Sequence, residues 1–598
     1  MPRTSAALIA SSLAATLLTS AFALAQPPAA AQQRAGGGLD VADHREFAPP
    51  PTRGIDSKRW ESWSAMRTAA DPLLGWKIGM RSTDFPGASL EEALQKTDEL
   101  ALGNIEIFST QKLDMDIPKA VNDTLYADEL RAVKDKLIGI NIVPIAYHVP
   151  EIPSDEASAR KLFQFTSDLG SAVLVTEKAP ASLDLVDKLA GEFKIKVAIC
   201  GNPTQVLDAV KSHSEMLGVC GDTANWVQDG LKPADEATTL GTRLFILNLH
   251  DVSAAQGGHE VAPGEGVAGI PALLMAMYHA QIKPALMTVS GPPGDLAPSL
   301  TTFEEALRPV MTDRVDGISR TTAIRGEDKL DPADKAKIDA ALPDTAPAKP
   351  RKPRKLLVMD LNVAYGGHRS IPAENYAIEQ MGKRTGAYTV VFDDNLDNLK
   401  YPKIKQYDAI VLNNTVGMIF VDPEVRAGLL RFVREGGGLA GNHGTSHASM
   451  DWPEFHDMIG VTRGVHRANT EKCWIKIDDP KSPLVASFNG KEIEYEDEYF
   501  RFPNPPYSRT KLHVLLSIDV PKTDMNQGVV HVPGSSVSRP DADYAVSWIH
   551  TYGKGRVFFT ILGHNPTLFE SPELAGLYLR GLQFILGDLD ADASPSVK

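Results

Sequence analysis

The feature that most constrains this chain is an alternation. From Gly75 to about Met311, short runs rich in β-branched residues alternate with runs of helical period: Trp76–Met80, Ile105–Phe108, Ile140–Tyr147, Ala172–Thr176, Val197–Cys200, Leu217–Cys220, Leu244–Leu249 and Pro284–Val289. Eight strands, each followed by a helix, are accommodated most economically by a closed (β/α)8 TIM barrel. Ser89-Leu-Glu-Glu92 supplies a capping box for the first helix. The pattern lapses between Thr312 and Arg354 into a polar, proline-rich stretch with one short helix near 331–342, then resumes at Lys355. At 598 residues the chain is too long for one core. It divides into a segment 1–25, a flexible lead 26–68, the barrel 69–312, a linker 313–354 and a second α/β domain 355–590.

The second block reads strand 355–361, helix 371–385, strands 388–392 and 407–413, helix 423–435 and a short strand at 439–441, with further strands to about 562 and a closing helix 571–586. Short connections and apolar strands predict a doubly wound, mostly parallel sheet. Three glycines, Gly436–Gly438, end the helix before Leu439–Gly441, and the chain then turns sharply at Asn442-His443-Gly444. Such a strand-to-helix elbow lifts one side chain out of the sheet. His443 occupies that position, and imidazole offers a proton shuttle or a metal ligand near neutral pH. A lone histidine there would read as a turn cap, but His368, His447, His456, His466 and His564 share this half, beside the acidic run Glu494–Tyr499.

Charge and termini narrow the partners. A formal charge of -15 argues against nucleic acid, and the basic cluster Lys349–Lys355 lies in the linker. Met1–Ala25 has one basic residue, an apolar core and the small-residue site Ala23-Leu-Ala25, so a secretory signal cleaved before Gln26 is expected, giving a periplasmic or secreted protein with no membrane span after cleavage. Only Cys200, Cys220 and Cys473 occur, so disulfides are not the scaffold. Cys200 and Cys220 end adjacent strands and read as two buried free thiols, with a disulfide as the alternative.

In a barrel the site lies at the strand C-termini. There stand Glu177, Asp222 and His250, with Cys200, Asn202, Asn225, Asn248 and Ser290. Through Gly218–Trp226, Leu247–Asp251 and Gly258–Gly266, residues 75–310 resemble the xylose-isomerase-like, sugar-phosphate-isomerase-type barrels. Relatives usually carry histidines where Asn225 and Asn248 stand, and a glutamate near Ser290. Neutral amides hold a divalent ion weakly, so the barrel is expected to bind sugar through Glu177, Asp222 and His250 without a tight metal.

In the second domain, His368–Ile371, Tyr407–Asn414, Gly436–His443, Trp452–Phe455, Asp497–Phe500, Tyr552–Val557 and Gly563-His564 resemble, in order, the ThuA-like (trehalose-utilisation) family, whose fold is of class I glutamine-amidotransferase-like type. The resemblance implies carbohydrate catabolism. Glutaminase chemistry needs an elbow thiolate, and the only cysteine of the domain, Cys473, lies elsewhere. The reading is therefore an enzyme acting on a sugar, disaccharide or keto-sugar by isomerase, lyase or hydrolase chemistry. His443 and His564 would be its acid and base and Glu498 a second carboxylate, with His368, Asn414, His447, Asp497 and Tyr499 contacting substrate. A variant places a divalent metal on His443, His447 and Glu498. The competing reading is a non-catalytic sugar-binding protein.

Overall fold

The computed structural model describes residues 66–114, 119–294, 296–319, 330–468, 470–502, 505–527 and 538–596. The expected signal segment and nearly all of the flexible lead, residues 1–65, lie outside the described residues.

Strands β1 (Ile78–Arg81), β2 (Asn104–Phe108), β3 (Val143–Val149), β4 (Val173–Thr176), β5 (Lys196–Cys200), β6 (Leu217–Asp222) and β7 (Leu244–Leu249) form the expected barrel. A two-strand flap, β8 (Asp251–Val252) and β9 (Glu260–Val261), interrupts the series before β10 (Leu286–Val289) closes it between β7 and β1. Every barrel pairing is parallel. Ile145, Val173, Val175, Ala198, Phe245, Ile246 and Leu286 form a buried apolar cluster of their own on these strands, as a filled barrel interior requires. Ser89 and Glu92 make the capping box. The barrel's last helix, Ala297–Ser319, runs past the expected boundary at 312 and packs on helix Met66–Leu74.

The connection also differs from expectation. Helix Pro332–Ala341 packs on helix Ile371–Thr385 of the second domain, and the proline-rich run after it, though partly exposed, is strapped down. Gln583 exchanges two hydrogen bonds with the backbone of Ala348 (2.9 and 2.6 Å), and the fully buried Asp588 side chain receives the Arg351 amide and the Arg354 guanidinium. Of the basic residues that suggested solvation, Arg354 pairs with the buried Asp588, while the Arg351 and Lys352 side chains stay largely exposed on Asp590 and Asp408.

The second domain holds one nine-stranded sheet in the order β12-β11-β13-β14-β19-β18-β17-β15-β16. β11 (Lys355–Met359), β12 (Thr389–Phe392), β13 (Ala409–Leu412), β14 (Gly438–Asn442) and β19 (Gly555–Thr560) pair in parallel. β15 (Glu471–Ile477), β16 (Ile493–Asp497), β17 (His513–Ile518) and β18 (Ala545–Tyr552) add four antiparallel pairings, including β18 with β19. The sheet is thus mixed where a mostly parallel one was expected. Among the described residues no α-helix lies between consecutive strands from β15 to β19, and strands joined without a helical crossover pair antiparallel. Among the described residues no helix is long and apolar enough to cross a membrane.

Candidate functional site

Parallel strands end on one edge, and that fact assembles the site. His368 follows β11, Asn414 follows β13, His443 follows β14 and His564 follows β19, so four segments distant in sequence meet where open α/β sheets bind ligands. His443 sits at φ 32°, a conformation costing an L-residue about 1–3 kcal/mol and met mostly where function demands it. Its neighbour must be glycine: a Cβ on Gly444 would lie 2.8 Å from the His368 ring and 2.9 Å from Val416.

A buried amide network holds the elbow. Asn414 accepts from the Gly444 amide (3.0 Å) and donates to the Gly563 carbonyl (3.0 Å), while Asn442 accepts from the Asn414 amide and donates to Glu374 at 2.8 Å. Burial pushes the Glu374 carboxyl well above the usual range, against the two hydrogen bonds from Asn442. Asn414 is wholly buried with its amide consumed, so it positions the elbow instead of contacting substrate as expected. Gly563, at φ 126°, has no room for a Cβ, which would approach Glu374 Oε1 to 2.5 Å.

Glu498 arrives from the far side of the sheet. The segment after β16 folds back across the carboxyl edge and is pinned twice. Asp497 accepts from the amides of Gly563 (2.8 Å), Asn565 (2.9 Å) and Glu498 (2.9 Å), which clips the His564 turn to the Glu498 segment. Arg501 pairs with the buried Glu471 at 2.5 and 2.7 Å. Asp497 is therefore a clip, and Tyr499 is wholly buried with its hydroxyl on the Tyr495 carbonyl (2.9 Å). Neither is placed to touch substrate.

The result is one carboxylate among imidazoles. Glu498 Oε2 lies 3.0 Å from His443 Nε2 and 3.5 Å from His564 Nδ1, and Oε1 lies 2.9 Å from His466 Nδ1. These are ion-pair contacts off the line of ideal hydrogen bonds. His564 Nδ1 is 3.3 Å from His443 Nε2. The rings of His368 and His443 meet edge-on at 4.8 Å, and His443 stacks on Phe500. His443 and Glu498 are fully buried, whereas the His564 side chain keeps 20% exposure. Burial alone would raise the Glu498 carboxyl, but the His466 charge and contacts with His443, His466 and His564 outweigh it and hold the group well below the usual range. For His564, burial works against charge, yet Glu498 and Asp497 leave its imidazole raised.

His443, His564, Glu498 and His368 thus come together. His447 does not join them as a metal ligand: its ring packs on Phe500 and its Nδ1 lies 3.1 Å from Ser446 Oγ. The expected pairing of His443 and His447 on one helix face fails because His443–His447 is a 3-10 turn, in which positions three apart, not four, align. Among the described residues the imidazoles that converge with ligand atoms within 4.8 Å are His368, His443 and His564. Sequence reasoning counted His466 among the histidines of this half without giving it a role, and left out Glu374. Glu374 had a signal: it stands between Ile371 and Ile378 on the buried face of its helix. His466 had none beyond being a histidine.

Away from this cluster, the barrel mouth is a cavity of about 450 Å³, lined by Arg81, Glu106, His148, Glu177, Asp222 and Trp226 among others. A larger one of about 700 Å³ lies at the opposite, amino-terminal side of β11 and β12, and no imidazole lines it. Asp222 and His250 of the barrel are already committed. Asp222 caps helix Thr223–Gln228, receives Asn248 Nδ2 (2.5 Å) and faces His250 Nδ1 (3.4 Å), and His250 faces Glu260 (3.0 Å). Glu177 is 57% exposed and lies 3.6 Å from His148 Nε2. With Asn225, Asn248 and Ser290 neutral, this set does not fit the divalent ion that such barrels imply. Cys200 and Cys220 are free thiols in register on β5 and β6. The Cys200 contact, with burial adding to it, pushes the Cys220 thiol well above its ordinary value.

Comparison with known proteins follows the two domains. No curated protein matches the chain. Among solved structures it is similar to an uncharacterised protein from Parabacteroides distasonis (24% identity, TM-score 0.33, 40% of this chain and 98% of that one) and a ThuA-like protein from Bacteroides uniformis (16%, 0.33, 40% and 93%). It is also similar to a xylose isomerase domain protein from Planctomyces limnophilus (16%, 0.31, 41% and 98%). In the C-terminal domain, residues 355–585 match the model of the ThuA family, described as trehalose utilisation.

Proposed function

We propose that this is an exported carbohydrate-catabolism protein whose C-terminal domain moves protons on a sugar, disaccharide or keto-sugar, in isomerase, lyase or hydrolase chemistry. The observation that carries the reading is the burial of Glu498 within 3.5 Å of three imidazoles at the carboxyl edge of the sheet. A carboxylate held ionised there keeps a proton on an adjacent imidazole. His564, the more accessible ring and the one whose affinity for protons is raised, is placed to meet substrate and act as acid. His443 is oriented by Nδ1 on the Ile561 carbonyl (2.9 Å), which leaves Nε2 to exchange protons with His564 and Glu498. The match to a family described by trehalose utilisation supports the carbohydrate class.

A second reading, sugar binding without turnover, is favoured for the barrel by the commitment of Asp222 to Asn248 and His250 and by the neutral Asn225, Asn248 and Ser290. The test is a panel of disaccharides and their keto forms, followed by product analysis with wild type and Glu498→Gln. Turnover that falls at least about 100-fold in the variant supports proton transfer. A wild-type protein that is thermally stabilised by sugars yet converts none is a binding protein.

A further inference from the structure

His443 Nε2, His564 Nδ1 and Glu498 Oε2 form a triangle with edges of 3.0, 3.3 and 3.5 Å. An ion bound tetrahedrally at about 2.0–2.1 Å from nitrogen and oxygen ligands sets those ligands about 3.3 Å apart. A proton relay has no need of such a triangle. Since the His443 Nδ1 hydrogen is committed to the Ile561 carbonyl, a neutral ring turns its Nε2 lone pair toward the carboxylate at 3.0 Å, a contact satisfied by a proton on Nε2 or by a metal ion that both groups ligate. Among the described residues no aligned hydrogen bond reaches either Glu498 oxygen, although the side chain is fully buried.

His368 adds a third imidazole, with one ring nitrogen within 4.8 Å of those of His443 and His564. The outer partners are also in place. Metal-binding imidazoles usually give their other N–H to a carbonyl or carboxylate, and ligating carboxylates are themselves held. Ile561 O supplies the first and His466, on Glu498 Oε1 at 2.9 Å, the second.

We propose that His443 Nε2, His564 Nδ1 and Glu498 Oε2, with His368 on the remaining side, bind one divalent transition-metal ion of the zinc class. Imidazole-rich sites with one carboxylate suit zinc and its neighbours over calcium or magnesium. Such an ion supplies Lewis-acid polarisation of a sugar carbonyl or hydroxyl. The inference rests on the cluster of the proposed function but does not require turnover, so the two fail separately.

The experiment uses the full chain, stripped with chelator, reloaded with cobalt(II) and desalted, with metal content and the visible cobalt spectrum as readouts. About one ion per chain is expected, and His443→Ala, His564→Ala and His368→Ala should each weaken retention about 10–100-fold or more. Circular dichroism verifies folding of each variant. Wild type that retains no stoichiometric cobalt overturns the proposal outright, even if sugar turnover persists. An ion retained by folded His443→Ala but lost in Asp222→Asn lies in the barrel and also overturns it.

Discussion

Replacing Asp497 with asparagine isolates the clip that joins the two halves of the site. The carboxylate accepts three amides, with Oδ2 on Gly563 and Oδ1 on Asn565 and Glu498. Asparagine has one acceptor oxygen. If it keeps the Oδ1 pair, its NH2 faces the Gly563 N–H at the present 2.8 Å, donor against donor. A hydrogen bond to a charged acceptor, about 1.5–3 kcal/mol, is lost, and a buried N–H is left stranded, so the total is about 2–4 kcal/mol. In urea this lowers the midpoint of the C-terminal domain by about 1 M. The turn that shifts also carries His564, and a displacement of about 1 Å costs on the order of 100-fold in rate. Equilibrium unfolding and turnover of Asp497→Asn test both parts. A midpoint within about 0.2 M of wild type, with turnover intact, would refute the clip.

Other consequences are as specific. Arg501→Met strands the buried Glu471 and should cost about 3–5 kcal/mol, whereas Arg501→Met with Glu471→Met should recover most of it; additive losses in a double-mutant cycle contradict a buried pair. The strapped run 343–354 should resist limited proteolysis as the strands do, and Arg354→Ala, which exposes the buried Asp588 to loss of its partner, should make it cleavable; early cleavage in wild type refutes the strap. Burial holds His456 and His550 below their ordinary value. The folded state therefore binds fewer protons, and stability is complete above about pH 6.5, the unfolded value, and falls as pH drops through it toward the folded ones. His550→Gln should flatten the fall in urea midpoint between pH 7 and 5, and an unchanged slope counts against it.

Much of the architecture was legible because period and order carry it. Eight β/α repeats specify a closed barrel, and the elbow at Asn442–Gly444 specifies a side chain raised at a strand end. The carboxyl-edge meeting of His368, His443 and His564 follows from three parallel strands. What was not legible depends on contacts with no local signature. Asn414 and Asp497 look like substrate ligands in sequence, yet hydrogen bonds to Gly444 and Gly563 from distant segments make them fixtures. His466 reaches Glu498 only because the chain after β16 folds back, with Val465 and Arg501 exchanging backbone hydrogen bonds. The linker misled because proline and lysine are as common in a free tether as in a strap pinned by one arginine on a buried aspartate. His447 fell out when the expected α-helical turn at His443–His447 became a 3-10 turn.

The central claim, that His443, His564 and Glu498 work as one unit on a sugar, is tested most directly by non-additivity. Turnover of the best disaccharide or keto-sugar substrate should be measured for His443→Ala, His564→Ala and the double variant, with folding verified by circular dichroism. The account predicts that each single change removes most of the activity and that the double costs little more. Losses that multiply, or a His443→Ala protein that turns over at the wild-type rate, would contradict it.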